Sequence, residues 1–248
     1  MYEYVPGVAR IHYDTVIGGR NTQADCISVC NGARALAIAI ADGAGDDGDA
    51  AECAQIAAQV GAAVTASTGS PVEGMDVART HVNGRNHYAP KLQRGVTTAT
   101  MLAIASGELR LAWAGDSPAW AVRRDGEVVG LTVPSCHPCM TPCNVAEEHD
   151  ESPYAESDGP WPHQHTAEAD DFVRVIVASD GVTAHLPWME RDGDHVAGML
   201  PTLAEVADPQ WDGECVLRRL LEIARLGRGT QDNTTIAVVD LIPNGSDA

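Results

Sequence analysis

Aromatic side chains are scarce in this sequence: they make up 4% of the 248 residues and include a single Phe. Apolar residues still reach 44%, so we expect a sizeable core built from Ala, Val, Leu and Ile. By length alone the chain is one large or two small domains. We predict a single domain over residues 1–248.

Basic residues are also few, since 16 Lys and Arg stand against 35 Asp and Glu, which gives a net charge of −19. Nucleic acid and anionic membrane surfaces both require a basic patch on a protein this acidic. The nearest approach to such a patch, Arg218 and Arg219, falls in an amphipathic helix pattern. We therefore expect neither nucleic acid nor a membrane as a partner.

Long hydrophobic runs are missing as well. No segment is long and apolar enough to span a bilayer, and residues 1–7 lack the charged and apolar regions of a signal peptide. We expect a cytoplasmic protein, in which its seven Cys would be free thiols. Cys26, Cys30, Cys53 and Cys215 fall in apolar patterns, so we predict that they are small core residues.

Hydrophobic periodicity predicts strands and helices in an order that restricts the fold class. Two strands joined by an Asn31-Gly32 turn come first, then two helices, then a meander of short strands. Two consecutive helices between strand pairs do not fit a doubly wound parallel sheet, but they fit antiparallel sheets with helices on their outer faces. We predict an α+β fold, with strands at 24–30, 35–41, 97–105, 109–114, 119–123, 128–131, 172–178 and 234–242 and helices at 50–66, 72–88 and 215–226.

The exception is a Pro-rich stretch at about 134–170, which shows no sustained periodicity and is predicted to be an irregular flap. It contains Cys136 and Cys139 in a Cys-x-x-Cys pattern, followed by Cys143 and His149. Such residues can bind zinc, but their spacing matches no familiar zinc module. We favour an acidic loop that carries thiols and keep zinc as the alternative.

Four acidic residues, far apart in the sequence, each end an apolar run or follow a turn: Asp25, Asp42, Asp180 and Asp232. An Asp before Gly is usually explained by turn chemistry. Strands that deliver several carboxylates to one edge of a sheet, however, build an oxygen-lined site for a divalent cation. The repetition of the pattern favours a metal site.

Six short segments also resemble, in the correct order, motifs of the metal-dependent serine/threonine protein phosphatases, the PPM family or type 2C. Each motif alone is weak, and their order makes the resemblance specific. It implies an α-β-β-α sandwich, in agreement with the periodicity. The segments are 20–25 for Arg-x-x-Asn-Glu-Asp, 42–46 for Asp-Gly-x-Gly-Gly, 95–100 for the Gly-x-Thr-Thr strand, 114–117 for Gly-Asp-Ser-Arg, 179–183 for Ser-Asp-Gly-Leu-Thr and 232–235 for Asp-Asn-x-Thr.

The resemblance implies an enzyme that hydrolyses phosphoserine and phosphothreonine in proteins, by attack of a hydroxide held between two ions. Oxygen ligands select Mn²⁺ or Mg²⁺. The resemblance implies that Asp42 binds both ions, that the Gly43 carbonyl binds one of them, and that Asp180 and Asp232 bind the other. It places Asp25 outside this set and Asp116, with Asp180, at a third ion. It implies that Arg20 binds the phosphoryl oxygens of the substrate. Asp116 fits an ordinary turn equally well.

Several positions depart from the family pattern. Ala24 replaces an outer-shell Glu, Ala44 stands where a His or Met is common, Asp46 replaces a Gly and adds charge, and Pro118 replaces an Arg. The family's Asp-His-Ser is missing at residues 133–136. These changes indicate a divergent enzyme.

Two other functions remain open from the sequence. One is a pseudophosphatase that binds a phosphoprotein or regulatory partner without turnover, and the retained carboxylates argue against it. The other is an unrelated metal-dependent hydrolase, which would need a different ligand set. The sequence does not identify the substrate: a kinase-phosphorylated signalling protein and an anti-sigma-type regulator both fit, and nothing in it chooses between them. It also does not fix the oligomeric state.

Overall fold

Two antiparallel sheets form the centre of the computed structural model, which describes residues 1–132, 161–183, 203–204, 206–226 and 232–242. One sheet has the strand order β1-β2-β11-β10-β7-β8, and the other has the order β3-β4-β5-β6-β9. The strands are β1 Tyr2–Val5, β2 Ala9–Val16, β3 Asp25–Asn31, β4 Leu36–Gly43, β5 Thr97–Ala105, β6 Glu108–Ala114, β7 Ala119–Arg123, β8 Val128–Gly130, β9 His163–Glu168, β10 Phe172–Ala178 and β11 Thr234–Leu241.

Helices cover the outer faces of both sheets. Helices α1 (Gly48–Thr68) and α2 (Pro71–Tyr88) pack on the five-stranded sheet, and α4 (Gly213–Leu226) packs on the six-stranded sheet. The short helix α3 (Asp180–Thr183) follows β10 directly. The predicted α+β sandwich of two antiparallel sheets with helices outside is therefore confirmed.

The apolar core is built from small and branched side chains, as the composition predicts. Ile, Leu, Val and Ala side chains from both sheets fill the space between them. The buried face of α1 consists of Ala, Gly, Cys and Thr, which lets this helix lie close to its sheet. Helix α1 begins after Asp47, whose carboxylate accepts hydrogen bonds from the Asp49 and Ala50 amides.

Some sequence predictions need correction. Strands β1 and β2 were not predicted, because their residues are mostly half-exposed and the apolar alternation is weak. Residues 163–168, placed in the irregular flap, form the edge strand β9 beside β6. Its side chains are polar and largely exposed, so they show no apolar alternation, and only the backbone pairing reveals the strand. Residues 133–160, with the candidate zinc ligands, lie outside the described residues.

The cysteines also differ from the prediction. Cys53 is buried, Cys26 and Cys30 are half-buried, and Cys215 is exposed. The core assignment of Cys215 was wrong, because this residue lies on the solvent side of α4. None of the helices in the described residues has the length and apolar character that crossing a membrane requires.

Candidate metal centre

Asp25 and Asp42 lie directly opposite each other on neighbouring strands. They are paired in the antiparallel register of β3 and β4, at the start of one strand and near the end of the other. Paired residues of an antiparallel ladder project from the same face of the sheet. The register therefore brings together two carboxylates that are 17 positions apart in sequence.

The other sheet contributes at the same place. Ser179, which follows β10, donates a hydrogen bond from its hydroxyl to Asp25 Oδ2 over 2.7 Å and accepts one from the Thr235 amide over 3.0 Å. Its neighbour Asp180 opens α3 and is in hydrogen-bonding contact with Asp42. Three carboxylates from two sheets thus converge, as the sequence pattern predicts.

Crowding of these carboxylates shifts their protonation equilibria. Burial raises the pKa of Asp25 to about 6. Burial, followed by the charge of Asp25, raises the pKa of Asp42 to about 7. Burial, followed by the charge of Asp42, raises the pKa of Asp180 to about 8. Three carboxylates this close repel one another when all are ionised. The cluster is stable only when some of them are protonated or when a cation balances their charge.

Asp232 joins the cluster through its charge, which contributes to the raised pKa of Asp42 and Asp180. Its two carboxylate oxygens are bound by Arg20, with Nε 3.0 Å from Oδ1 and Nη2 2.9 Å from Oδ2. The residue predicted to clamp phosphate therefore binds a predicted metal ligand in this structure. The sequence did not indicate this pairing, because the two residues are 212 positions apart.

Gly43 is fixed by backbone packing. A Cβ atom here would lie 2.7 Å from the Ala50 carbonyl oxygen and 2.8 Å from that of Ala24. The Gly43 amide donates to the same Ala24 oxygen, and the Thr97 hydroxyl donates to the Asp42 carbonyl over 2.8 Å. The need for glycine therefore comes from the backbone of α1 and the Ala24 segment, in addition to any ion.

Asp116 lies in the turn between β6 and β7 and is exposed. Two residues of β5 hold the turn through Ser117. The Thr98 and Ser117 hydroxyls are 3.0 Å apart, and the Thr100 hydroxyl donates to the Ser117 carbonyl over 2.6 Å. The charge of Asp116 contributes to the raised pKa of Asp180. The two residues predicted to share a third ion are therefore electrostatic neighbours.

Asn233 is a supporting residue that the sequence reasoning did not single out. It is buried, accepts a hydrogen bond from the Ala24 amide over 2.8 Å and donates one to the Ile17 carbonyl over 2.7 Å. One side chain thus joins the end of β2, the start of β3 and the start of β11. Its position directly after Asp232, in the Asp-Asn motif, is the sequence feature that could have identified it.

The donor set fits divalent cations. In the described part of the chain, no three Asp, Glu, His or Cys side chains already stand around a common ion position. Asp25 Oδ1 is nevertheless a buried acceptor without a hydrogen-bond donor among the described residues. Buried oxygen donors with raised pKa suit Mn²⁺ or Mg²⁺, whose charge favours their ionised form.

Solved structures of bacterial phosphatases share this arrangement of sheets and helices. The catalytic domain of the serine threonine protein phosphatase PstP, solved with two manganese ions, is 25% identical, with a TM-score of 0.66 over 95% of this chain and 99% of that one. The S. agalactiae serine/threonine phosphatase is 19% identical, with a TM-score of 0.70 over 94% and 100%. This chain has the PPM phosphatase fold.

A third structure with the PPM fold is that of the Ser-Thr phosphatase MsPP from Mycobacterium smegmatis in complex with cacodylate. It is 20% identical, with a TM-score of 0.66 over 94% of this chain and 98% of that chain. No protein-family model and no curated protein matches the sequence. The predicted resemblance to the PPM phosphatases is thus confirmed at the level of the fold.

Proposed function

We propose that this protein is a metal-dependent phosphatase that hydrolyses phosphoserine and phosphothreonine in proteins. The observation that carries the proposal is the convergence of Asp25, Asp42 and Asp180 from two sheets, beside the Arg20–Asp232 pair. Its PPM fold supports the same class of activity, because the solved neighbours are serine/threonine phosphatases.

The energetics of the cluster favour an enzyme over a pseudophosphatase. Buried like charges destabilise a fold unless they are neutralised, and a protein that only binds a partner has no use for them. Ala24 and Ala44 remove a carboxylate and a leaving-group acid that related enzymes are expected to have, and Arg20 is engaged by Asp232. These features favour slow turnover, and they keep the pseudophosphatase as the second candidate.

In the proposed site, the oxygens of Asp42, Asp180, Asp232 and the Gly43 carbonyl would hold two ions. When bound, Mn²⁺ or Mg²⁺ supplies positive charge for the phosphoryl oxygens and lowers the pKa of the attacking water. Asp25 acts from outside this set and is oriented by Ser179. Asp116 and Asp180 are the candidate ligands of a third ion.

Arg20 would bind the phosphoryl group of the substrate. A guanidinium can donate two parallel hydrogen bonds to phosphate oxygens, which fixes the ester for attack. No His follows Asp42-Gly43, because that position is Ala44. We therefore propose that the serine or threonine leaving group takes its proton from water.

The test is hydrolysis of a phosphothreonine peptide by the purified protein with Mn²⁺, with and without EDTA. Asp42→Asn and Asp232→Asn should each abolish metal-dependent turnover. Asp76→Asn, which changes an exposed carboxylate on α2, serves as the control and should keep it. Absence of turnover in the wild type, together with absence of Mn²⁺ binding by calorimetry, would replace the proposal with the pseudophosphatase.

A further inference from the structure

Asp46 makes more hydrogen bonds to residues 20–22, the segment that carries Arg20, than any of the candidate metal ligands does. Its Oδ1 accepts from the Asn21 amide over 2.8 Å and from the Thr22 amide over 2.9 Å, and its Oδ2 accepts from Asn21 Nδ2 over 2.8 Å. These hydrogen bonds lower the pKa of Asp46, with the bond from the Thr22 amide as the largest cause. The carboxylate is therefore bound to one short segment of backbone.

That segment is the one that carries Arg20. The residues at 21 and 22 are held by Asp46, and the Arg20 side chain reaches from the same point to Asp232. The next hydrogen bonds along this segment are made by Gln23, whose side chain donates to the Thr15 hydroxyl, and by Ala24, whose amide donates to Asn233. Asp46 thus holds the backbone directly after Arg20, while Asp232 binds the guanidinium.

Asp46 itself has a fixed position. It lies in the loop between Gly43 and α1, next to Asp47, which caps the helix. The loop is also held by the Ala44 amide, which donates over 2.9 Å to the carbonyl of Val96, the residue before β5. Asp46 therefore links the loop that follows β4, the strand that carries Asp42, to the segment that carries Arg20.

We propose that Asp46 is a positioning residue, which holds Arg20 in place for the phosphoryl group of the substrate. The inference rests on the proposed phosphatase function and goes beyond it, because the corresponding position is Gly in the motif that this segment resembles. Asp46 was expected to add charge beside the ions. Its bonds to Asn21 and Thr22 give that charge a different use.

The decisive comparison is Asp46→Ala against Asp47→Ala. Asp46→Ala releases the Arg20 segment, whereas Asp47→Ala removes only the helix cap next to it. We expect Asp46→Ala to raise both KM for the phosphopeptide and the inhibition constant of inorganic phosphate by about fivefold to tenfold, in the range of one lost charged hydrogen bond. Its kcat and Mn²⁺ affinity should change less than about twofold. Asp47→Ala should leave KM and phosphate inhibition as in the wild type.

Two further variants separate positioning from a general structural effect. The double variant Arg20→Ala with Asp46→Ala should be no worse than Arg20→Ala alone, because residues that act through one group are not additive. The double variant Asn21→Asp with Asp46→Asn places the carboxylate at position 21 and the amide at position 46. It restores a hydrogen bond between these two side chains with donor and acceptor exchanged, and it should recover part of the lost affinity for the phosphopeptide. Additive effects, or unchanged KM and phosphate inhibition in Asp46→Ala, would overturn the inference.

Amide hydrogen exchange keeps this test independent of activity. Asp46→Ala should speed exchange of the Asn21 and Thr22 amides in the protein without substrate, and Asp47→Ala should not. Should the wild type neither hydrolyse phosphopeptides nor bind Mn²⁺, the phosphatase proposal fails, and exchange decides the role of Asp46. Faster exchange in Asp46→Ala then supports the positioning of the segment, and unchanged exchange overturns it.

Discussion

Arg20 binds both carboxylate oxygens of Asp232, at 3.0 and 2.9 Å, and so joins the candidate phosphate clamp to a candidate metal ligand. The same N–H groups cannot bind the carboxylate and a phosphate at one time. Entry of an ion that uses Asp232 would therefore release Arg20 toward the substrate. This relationship couples the two parts of the proposed site.

The coupling predicts that Arg20→Ala binds Mn²⁺ more tightly than the wild type. The ion pair competes with the metal for Asp232, and since both side chains are partly exposed, at 32% and 37%, its contribution should not exceed about 1 kcal/mol, or roughly fivefold in affinity. Calorimetric titration without substrate measures this directly. Arg123→Ala, which breaks an exposed ion pair with Glu127, should leave the affinity unchanged. Weaker Mn²⁺ binding in Arg20→Ala would show that Arg20 supports the metal site instead.

The raised pKa values predict a distinctive pH dependence for the EDTA-treated protein. An Asp whose folded pKa lies above its ordinary value of about 3.9 binds protons in the folded state that the unfolded chain has released. Its stabilising contribution is complete below that ordinary value and is lost as pH rises through the folded values, about 6 to about 8. The free energy of unfolding should therefore fall between pH 5 and pH 8.5, and saturating Mn²⁺ should restore it at the upper end.

Asp42→Asn is the variant that isolates this effect. It removes one charge and relieves both neighbours, so the metal-free variant should be more stable than the wild type at pH 8.5 by more than about 1 kcal/mol, which is close to one pKa unit. Urea unfolding at several pH values measures the difference. Asp76→Asn should follow the wild-type curve. Parallel curves for wild type and Asp42→Asn would contradict the assigned like-charge cluster.

Gly43 predicts a steric effect that is separable from metal chemistry. A Cβ atom at this position meets the carbonyl oxygens of Ala50 and Ala24, so Gly43→Ala should destabilise the fold by about 1–3 kcal/mol, as overpacking does. It should also weaken Mn²⁺ binding, because the end of β4, which carries Asp42, has to move. Gly48→Ala is the matched control, since nothing lies within 4 Å of its Cβ position. Equal stability of the two variants would disprove the packing argument.

The sequence placed Asp25, Asp42 and Asp180 beside the ends of predicted strands, where the structure also has them, because short-range patterns determine where these strands end. The pairing of Asp25 with Asp42 follows from the register of the β3–β4 hairpin, whose loop is residues 32–35; Asn31, predicted to lie in the turn, is the last residue of β3. The partners of Arg20 and Asp46 were not predictable, because each bond joins segments that only the folded sandwich brings together. Strand β9 escaped prediction for the same reason: its pairing with β6 is non-local, and its side chains are mostly exposed.

Arg174 is a further residue that sequence patterns did not single out, since it interrupts an apolar strand. It is 3% exposed and uses its whole guanidinium: Nε donates to Asp240 over 2.6 Å, Nη1 to the Asp208 carbonyl over 3.1 Å and Nη2 to the Trp211 carbonyl over 2.7 Å. Asp240 also accepts from the Gly213 amide over 2.9 Å. Arg174 thus fixes the segment that leads into α4 against the sheet.

Arg174→Lys should therefore cost about 2–4 kcal/mol in the free energy of unfolding, although it keeps the charge. A single ammonium cannot reach the three separate acceptors that the guanidinium serves, and unsatisfied buried acceptors are expensive. Urea unfolding measures the loss. Arg123→Lys, in an exposed ion pair, should change stability by less than about 0.5 kcal/mol. A small effect at both positions would mean that the packing of α4 on its sheet, and not Arg174, holds this segment in place.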